Sequence, residues 1–219
     1  MKDNWEPTER QQEIIKAALE LLAEKGYSDL SLRDIAKKLG VQAPAIYWHF
    51  KNKAMLVDYM AEYIVRTKMG DFTSRGSEQS WQDWLISHIS LFRNAMLSYP
   101  DGGRIVADAH LFPNGTLAKF MEESFVSLRS AGMDIRTARS VMLTLVRYTF
   151  GCVIEEQADE HNWETLPQRV IKSGELSNIM EAINLGGSDD ENFRSGLKLI
   201  VTGGTEAMAC EKTIVIDKK

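Results

Sequence analysis

Residues 30–53 read LSLRDIAKKLGVQAPAIYWHFKNK, and this stretch predicts two short helices joined by a tight turn. Ser31, followed three residues later by Asp34, is typical of the capped start of a helix. Four apolar residues at helical spacing then form one stripe that the fold must bury: Leu32, Ile35, Ala36 and Leu39. Gly40 is suited to end this helix because it accepts the left-handed backbone of a helix C-terminus.

The second helix of the stretch has few residues to bury and several to display. Pro44 suits its first turn, where the missing N–H costs nothing. Ile46 and Phe50, four residues apart, are its apolar anchors. The other residues are predicted to face outward: Gln42, Ala43, Ala45, Tyr47, Trp48 and His49. A short helix with exposed polar and aromatic tips, after a Gly-containing turn, is the helix-turn-helix arrangement that enters the major groove of DNA.

The distribution of charge favours nucleic acid as the partner of this stretch. Residues 31–53 contain five Lys or Arg and one acidic residue, although the whole chain has a net charge of −5. Residues 1–53 carry nine basic and eight acidic residues, and residues 54–219 carry 17 and 23. A locally basic face on an acidic chain directs DNA to that face. The alternative is a small helical subdomain whose basic face is simply solvated.

The composition predicts a cytoplasmic protein with no membrane segment. The 219 residues are 44% apolar, which is enough for one large or two small cores. There is no apolar run long enough to span a membrane and no signal-peptide pattern at the start. Cys152 and Cys210 are far apart and lack metal-ligand spacing, as in a reduced compartment. Beyond a polar joint at residues 70–79 the periodicity stays helical, so the predicted fold is all-α.

Lys53 stands at an unusual position for a basic residue. Asn52 is predicted to cap a fourth helix that runs to about Met69, so that Lys53 opposes the positive end of the helix dipole. A DNA phosphate bound jointly by the helix N-terminus and the Lys53 ammonium would resolve this conflict. The alternative is an exposed lysine that costs a few tenths of a kcal/mol.

Three segments resemble the TetR family of transcriptional repressors. They are LRDIAKKLGVQAPAIYWHFKNKAML at 32–56, SWQDWLISHISLFRNAMLSYPDGGR at 80–104 and FGCVIEEQ at 150–157. The likeness covers most of the chain and weakens at about 105–131 and 159–192. It implies an N-terminal helix-turn-helix DNA-binding domain, residues 1–53, and a C-terminal helical ligand-binding and dimerisation domain, residues 54–219. The implied protein is a repressor that a small-molecule inducer releases from its operator.

Two long helical segments are candidates for a homodimer interface. The segment Asp134–Ala158 is apolar on two faces, so it must be covered both by its own domain and by something else. In the resembled family, two helices from each subunit form a four-helix bundle, and Asp134–Ala158 and Asp190–Ala209 would take those places. Helix-turn-helix dimers read palindromic operators through the same two-fold symmetry. The alternative is that both helices are core elements of a monomer.

The DNA contacts are hypothesised to divide into two groups. Contacts to phosphate and sugar come from Tyr47, Trp48, His49, Arg33 and Lys53. Base reading comes from Arg33, Gln42, Pro44, Ala45 and the edge of Trp48, because Arg favours guanine, Gln favours adenine, and apolar groups favour the thymine methyl. Ala43 completes the outward surface of the second helix.

The resemblance also implies where an effector would bind. Family members that bind tetracycline hold a drug–Mg²⁺ chelate, whose direct His ligand falls at Val106 here. Since Val cannot ligate Mg²⁺, a tetracycline chelate is doubtful, and neither a metal nor a cofactor is predicted. His88 and Phe92 resemble the drug-contacting positions, Glu155 matches a second acidic contact, and Arg147 replaces a pocket His. Arg147 and Glu155 either line the pocket or form a surface or intersubunit ion pair.

No catalytic motif points to an enzyme. The sequence contains no GxSxG, no GxGxxG followed by an acidic residue, no HExxH and no paired Cys/His set. Three hypotheses follow: a ligand-released repressor, which the residues favour, a helix-turn-helix dimer that answers to a protein partner or is constitutive, and an enzyme or sequestering protein with a vestigial DNA reader. Salt-dependent binding to DNA separates the first two from the third, and release by a small molecule separates the first from the second.

Overall fold

The computed structural model describes residues 5–158, 178, 181, 182 and 185–216. Its helices are α1 (Glu9–Asp29), α2 (Leu32–Lys38), α3 (Ala43–His49), α4 (Lys53–Met69), α5 (Trp81–Leu97), α6 (Gly102–Asp108), α7 (Thr116–Ser130), α8 (Ile135–Glu156) and α9 (Asp189–Ile216). The described ranges contain no strand, which confirms the all-α prediction. The sequence also predicts a helix at about 176–185, and this segment lies mostly outside the described residues. None of the described helices is long and apolar enough to cross a membrane.

The N-terminal helices begin at the residues that the local signals predict. The Thr8 side chain accepts a hydrogen bond from the Gln11 N–H, and the Gln11 side-chain oxygen accepts one from the Thr8 N–H. α1 bends at Gly26, whose φ of 77° takes it out of helical geometry, before continuing to Asp29. Gly40, with φ at 65°, ends α2, and the Val41 N–H reaches back to the Ala36 carbonyl at 3.0 Å. This closing bond is typical of a glycine-terminated helix.

α4 is the element that joins the two parts of the molecule. It packs against α1 on one side and most extensively against α5 and α6 on the other, with further contacts to α7. Its buried residues include Leu56, Met60 and Ile64, which lie at helical spacing on one face. The apolar core is continuous from α1 to α9, and α4 connects α1, α2 and α3 to the larger C-terminal bundle.

The C-terminal bundle is closed by α8 and α9. A buried ion pair fixes these helices to α5: Arg93 donates from Nε and Nη2 to the two carboxylate oxygens of Glu156, at 3.1 and 2.7 Å. The Arg93 guanidinium also lies over the Phe193 ring of α9, 5.0 Å from its centre. Tyr148 of α8 stacks on the same ring at 5.5 Å. Arg93 of α5 thus contacts both α8 and α9 and joins the three helices.

Candidate nucleic-acid interface and effector domain

Two buried side chains anchor α3, and its other side chains are partly or fully exposed. Ile46 and Phe50 are fully buried, as the sequence predicts. Trp48 is 86% exposed and Tyr47 45% exposed. Gln42, Pro44 and Ala45 are also exposed, whereas Ala43 and His49 are half-buried rather than fully outward. A large exposed indole on a rigidly docked helix is a contact surface that solvation alone does not explain.

Two further supports fix the end of α3. The Gln11 side-chain amide donates to the His49 carbonyl at 3.4 Å, so that α1 braces α3. The Phe50 ring meets Tyr59 of α4 edge-on at 5.4 Å, and Tyr59 in turn meets Phe112, in the loop before α7, at 5.0 Å. These edge-to-face contacts connect the recognition helix, through α4, to the C-terminal bundle.

The basic residues of α2 fall into two groups in the structure. Arg33 and Lys37, four residues apart, are exposed on one face of α2. Lys38 is instead held by two carboxylates of α1, Glu20 at 3.2 Å and Glu24 at 3.0 Å. Those hydrogen bonds raise the pKa of Lys38. The charge count of the sequence therefore overstates the number of cations that α2 offers to DNA.

The helix-turn-helix is also tied to α1 by an ion pair. Lys25 lies 2.8 Å from Asp34 in the first turn of α2. The hydrogen bonds from Lys25 and Ser31 lower the pKa of Asp34. Since Asp34 stays ionised, it adds a negative charge at the positive end of α2, where the helix dipole favours one.

Lys53 begins α4, as predicted, and the Asn52 side chain caps that helix by accepting a hydrogen bond from the Met55 N–H at 2.8 Å. The Lys53 ammonium donates to the Tyr27 carbonyl at 2.8 Å and lies 4.8 Å from the centre of the Tyr27 ring. The structure therefore gives this cation a partner within the chain. Phosphate binding by Lys53 stays a prediction.

In the effector domain, His88 and Phe92 lie on the buried face of α5. The centre of the His88 ring lies 4.5 Å from that of Trp84, with the two rings tilted by 33°. The His88 ring stacks on Phe120 at 6.0 Å, and Phe72 meets it edge-on. His88 Nδ1 lies 2.8 Å from the Trp84 carbonyl oxygen, which can only accept, so Nδ1 carries a proton. Phe92 meets Phe150 of α8 edge-on at 5.6 Å. His88 thus belongs to an aromatic cluster inside the bundle, and Phe92 belongs to an aromatic pair between α5 and α8.

The other three candidate effector residues do not join that cluster. Val106 of α6 is 6% exposed and borders a cavity of about 20 Å³, room for about one water molecule. Arg147 and Glu155 lie on the exposed side of α8 and form no ion pair with each other. Of the alternatives that the sequence left open for these two residues, an intersubunit contact fits their position. The structure does not test it.

The outer faces of α8 and α9 are exposed in the single chain. On α8 the half-buried residues Val146 and Phe150 flank Arg147 and Gly151, which are exposed. On α9 Leu199 is 76% exposed, an unusual position for a leucine in a long, well-packed helix. α8 and α9 pack against each other, so these outer faces form one surface. Two such surfaces related by two-fold symmetry would bury Leu199.

A three-helix unit with an exposed recognition helix, joined by α4 to a helical bundle with an aromatic interior, defines a class: two-domain DNA-binding proteins of the helix-turn-helix type. Residues 14–60 match the family described as bacterial regulatory proteins, tetR family, and residues 75–208 match the tetracyclin repressor-like C-terminal domain. The class C tetracycline repressor of Escherichia coli is 35% identical over 210 residues, covering 89% of this chain and 90% of that protein.

Solved structures agree with the sequence matches. TetR (class A) in complex with 5a,6-anhydrotetracycline and magnesium has a TM-score of 0.66 at 30% identity, covering 88% of this chain and 96% of that one. A possible TetR family transcriptional regulator from Streptomyces coelicolor A3(2) has a TM-score of 0.81 at 25% identity, covering 90% and 99%. The chain belongs to the TetR family. It is a transcriptional regulator of that family.

Proposed function

We propose that this protein represses transcription by holding a palindromic operator through α2, α3 and the start of α4, and that a small molecule bound in the C-terminal bundle releases it. The observation that carries the proposal is the recognition helix: Trp48 is 86% exposed while Ile46, two residues before it, is fully buried. A helix that is anchored by buried side chains and exposes an aromatic side chain is suited to bind a base-pair edge and the neighbouring DNA backbone. The role is regulatory rather than enzymatic.

We further propose that this protein binds its inducer without a metal ion. In this it would differ from the class A relative, whose solved complex contains both anhydrotetracycline and magnesium. The position that the family resemblance assigns to the metal-ligating His is Val106, a hydrocarbon side chain facing the core. Mg²⁺ requires oxygen ligands or water, and a chelated drug loses its anchor without them. Trp84, His88 and Phe120 are buried against one another in this structure. A ligand that entered among them would meet aromatic faces and one imidazole instead, which suits a planar, uncharged or weakly charged aromatic molecule.

The experiment begins with DNA selected by the wild-type protein from a random-sequence pool. Fluorescence anisotropy then compares the selected duplex with random duplex over a range of salt. Specific binding at least 10³-fold tighter than random binding is expected for a regulator of this kind. Equal binding to both duplexes would contradict the proposal.

Two substitutions test the role of the recognition helix. Trp48→Ala should weaken binding to the selected duplex by about 1–3 kcal/mol, the usual contribution of a good base contact. Val126→Ala removes another exposed apolar side chain, on α7, and serves as the matched control with unchanged affinity.

A panel of planar aromatic drugs, including anhydrotetracycline, is then added with Mg²⁺ or with EDTA. Release of the duplex by one compound in both conditions is expected for a metal-free inducer. Release of the duplex by anhydrotetracycline with Mg²⁺ but not with EDTA would contradict the proposal of metal-free binding. DNA binding that no compound disturbs would instead favour a regulator controlled by a protein partner.

A further inference from the structure

Tyr27 joins the DNA-binding helices to α6 of the effector domain. It follows the bend at Gly26 near the end of α1. Its backbone N–H donates to the Asp101 carboxylate at 2.9 Å, and its hydroxyl donates to the Asp108 carboxylate at 2.8 Å. Asp101 precedes α6 and Asp108 is its last residue, so the two hydrogen bonds attach Tyr27 to both ends of one short helix.

Tyr27 also contacts the ammonium group of Lys53, the first residue of α4. Its carbonyl accepts a hydrogen bond from the Lys53 ammonium at 2.8 Å, and its ring lies under that ammonium at 4.8 Å. An aromatic face attracts a cation within about 6 Å. A lysine ammonium has three N–H donors, so the bond to Tyr27 leaves two for a phosphate.

We propose that Tyr27 is a positioning residue for DNA binding: it holds the Lys53 ammonium ready for a backbone phosphate, and α6 fixes Tyr27 in that position through Asp101 and Asp108. This inference rests on the proposed function, because it assigns Lys53 a DNA phosphate. A movement of α6 that withdraws either carboxylate releases Tyr27, and Lys53 then loses its fixed position.

The anchor on the α6 side is itself well defined. Asp101 adopts a left-handed backbone conformation with φ at 52°, which non-glycine residues seldom take. Its second carboxylate oxygen accepts a hydrogen bond from Arg104 at 3.2 Å. A cavity of about 630 Å³ lies beside this contact, between the end of α1 and the turn before α6. The contact therefore spans a junction with open space next to it, where small relative movements meet little steric resistance.

A double-mutant cycle on the full-length dimer tests the proposal, with the duplex selected by the wild-type protein as probe. Lys53→Met should weaken binding roughly five- to tenfold, within the usual range of coupled contacts, and should reduce the slope of log affinity against log salt by about one. Tyr27→Ala removes the ring beneath Lys53 and the bond to Asp108 but keeps the backbone bonds to Lys53 and Asp101. It should therefore weaken binding less, roughly three- to fivefold, with a smaller change in the salt slope. Tyr27→Ala should cost nothing further in the Lys53→Met background. An equal loss in both backgrounds would overturn the positioning role.

Milder variants separate positioning from folding. Tyr27→Phe and Asp108→Ala each remove the hydroxyl–carboxylate bond but keep the aromatic ring beneath Lys53. Both should weaken binding by a similar factor, about twofold, and the double variant should be no worse than either. Tyr63→Phe, which removes a tyrosine hydroxyl from α4 instead of α1, is the control. Melting temperatures verify that all variants fold. Unchanged affinity in both Tyr27→Phe and Asp108→Ala would remove α6 from the proposal.

DNA binding by the wild-type protein distinguishes a failure of the proposed function from a failure of the Tyr27 proposal. If the wild-type protein shows no salt-dependent preference for any selected duplex, the proposed function itself fails. If it binds the selected duplex tightly and the cycle shows no coupling, the proposed function stands and the role of Tyr27 is wrong.

Discussion

The carboxylate of Glu62 in α4 accepts two hydrogen bonds from Thr116, one from its backbone N–H and one from its hydroxyl, both at 2.7 Å. Gly115, which precedes α7, supplies no side-chain cap, and a Cβ on it would lie 2.6 Å from the Glu62 carboxylate. A buried side chain of one helix therefore caps the N-terminus of another, and a negative charge there is favoured by the helix dipole.

Glu62→Ala should lower the free energy of unfolding by about 1–3 kcal/mol, because it leaves the buried N–H and hydroxyl of Thr116 without an acceptor. Urea unfolding followed by circular dichroism measures the loss. Glu62→Gln keeps an acceptor oxygen of the same reach and should retain part of the stability. If the Ala and Gln variants are equally stable, the hydrogen bonds contribute nothing and the prediction is wrong.

The sequence predicted the helix-turn-helix because every signal for it is local. The Ser31 cap, the glycine at 40 and the spacing of Ile35, Ile46 and Phe50 all act within one or two turns of helix. The residues that join the parts of the molecule are different. Glu62 and Thr116 are 54 residues apart, Lys53 and Tyr27 are 26 apart, and no periodicity in the chain reveals such pairs.

The candidate effector site shows the same limit. His88 and Phe92 repeat at helical spacing on an apolar helix, so their burial followed from the pattern. Resemblance alone made Arg147 and Glu155 candidates either for the pocket or for a surface or intersubunit ion pair, and both are exposed on α8. Which face of a doubly apolar helix turns inward depends on its tertiary partners, and the sequence of that helix does not specify it.

The close approach of α9 to α8 leads to a prediction at Gly196. A Cβ built on Gly196 would lie 2.1 Å from the Tyr148 hydroxyl oxygen, so Tyr148 must move. Tyr148 is stacked on Phe193 and donates to the Asn192 carbonyl at 3.2 Å. Gly196→Ala should therefore destabilise the fold by about 1–3 kcal/mol, the usual cost of overpacking, despite the better helix propensity of alanine.

Thermal unfolding measures this effect against a glycine with free space around it. A Cβ on Gly76, in the loop before α5, meets nothing within 4 Å. Gly76→Ala should leave the melting temperature unchanged or raise it slightly. An equally stable Gly196→Ala variant would mean that α9 shifts freely on α8.

The Arg93–Glu156 pair should show strong coupling between its two members. Both side chains are largely buried, so removal of Arg93 leaves a buried carboxylate and should cost about 3–5 kcal/mol. Removal of Glu156 leaves the Arg93 guanidinium with Asp190, 3.5 Å away, and should cost somewhat less. Arg93→Met and Glu156→Leu should each be strongly destabilising, whereas the double variant should recover most of the loss. Urea unfolding of the four proteins completes the cycle, and additive losses would show that the two charges do not depend on each other.

Tyr27 should ionise at a higher pH than an ordinary tyrosine. Burial, together with the hydrogen bond to Asp108, raises the pKa of Tyr27 to about 12 from its usual 10.0. Because the folded protein holds this proton more tightly, the stability that Tyr27 contributes is complete below pH 10 and is lost as the pH rises through 12. Tyrosinate absorbance of the wild type minus that of Tyr27→Phe reports the titration, and Asp108→Asn should lower the midpoint. A difference spectrum centred at the ordinary tyrosine pKa would contradict the contact.

The two adjacent lysines of α2 should differ in their contribution to DNA binding. Lys37 is exposed beside Arg33, whereas Lys38 is held by Glu20 and Glu24. Lys37→Ala should weaken binding to selected and random duplex alike and reduce the salt slope by about one, as the loss of a phosphate contact does. Lys38→Ala removes the same charge one residue away and should change neither quantity, which makes it the matched control.

Arg33→Ala should behave differently from both lysine variants because an arginine in this position can read a guanine edge. It should cost about 1–3 kcal/mol on the selected duplex and relax the preference at one base position. Anisotropy titrations at several salt concentrations, on the selected duplex and its single-base variants, measure both effects. If Arg33→Ala weakens every duplex by the same factor, Arg33 contacts only the backbone, and base reading then belongs to α3 alone.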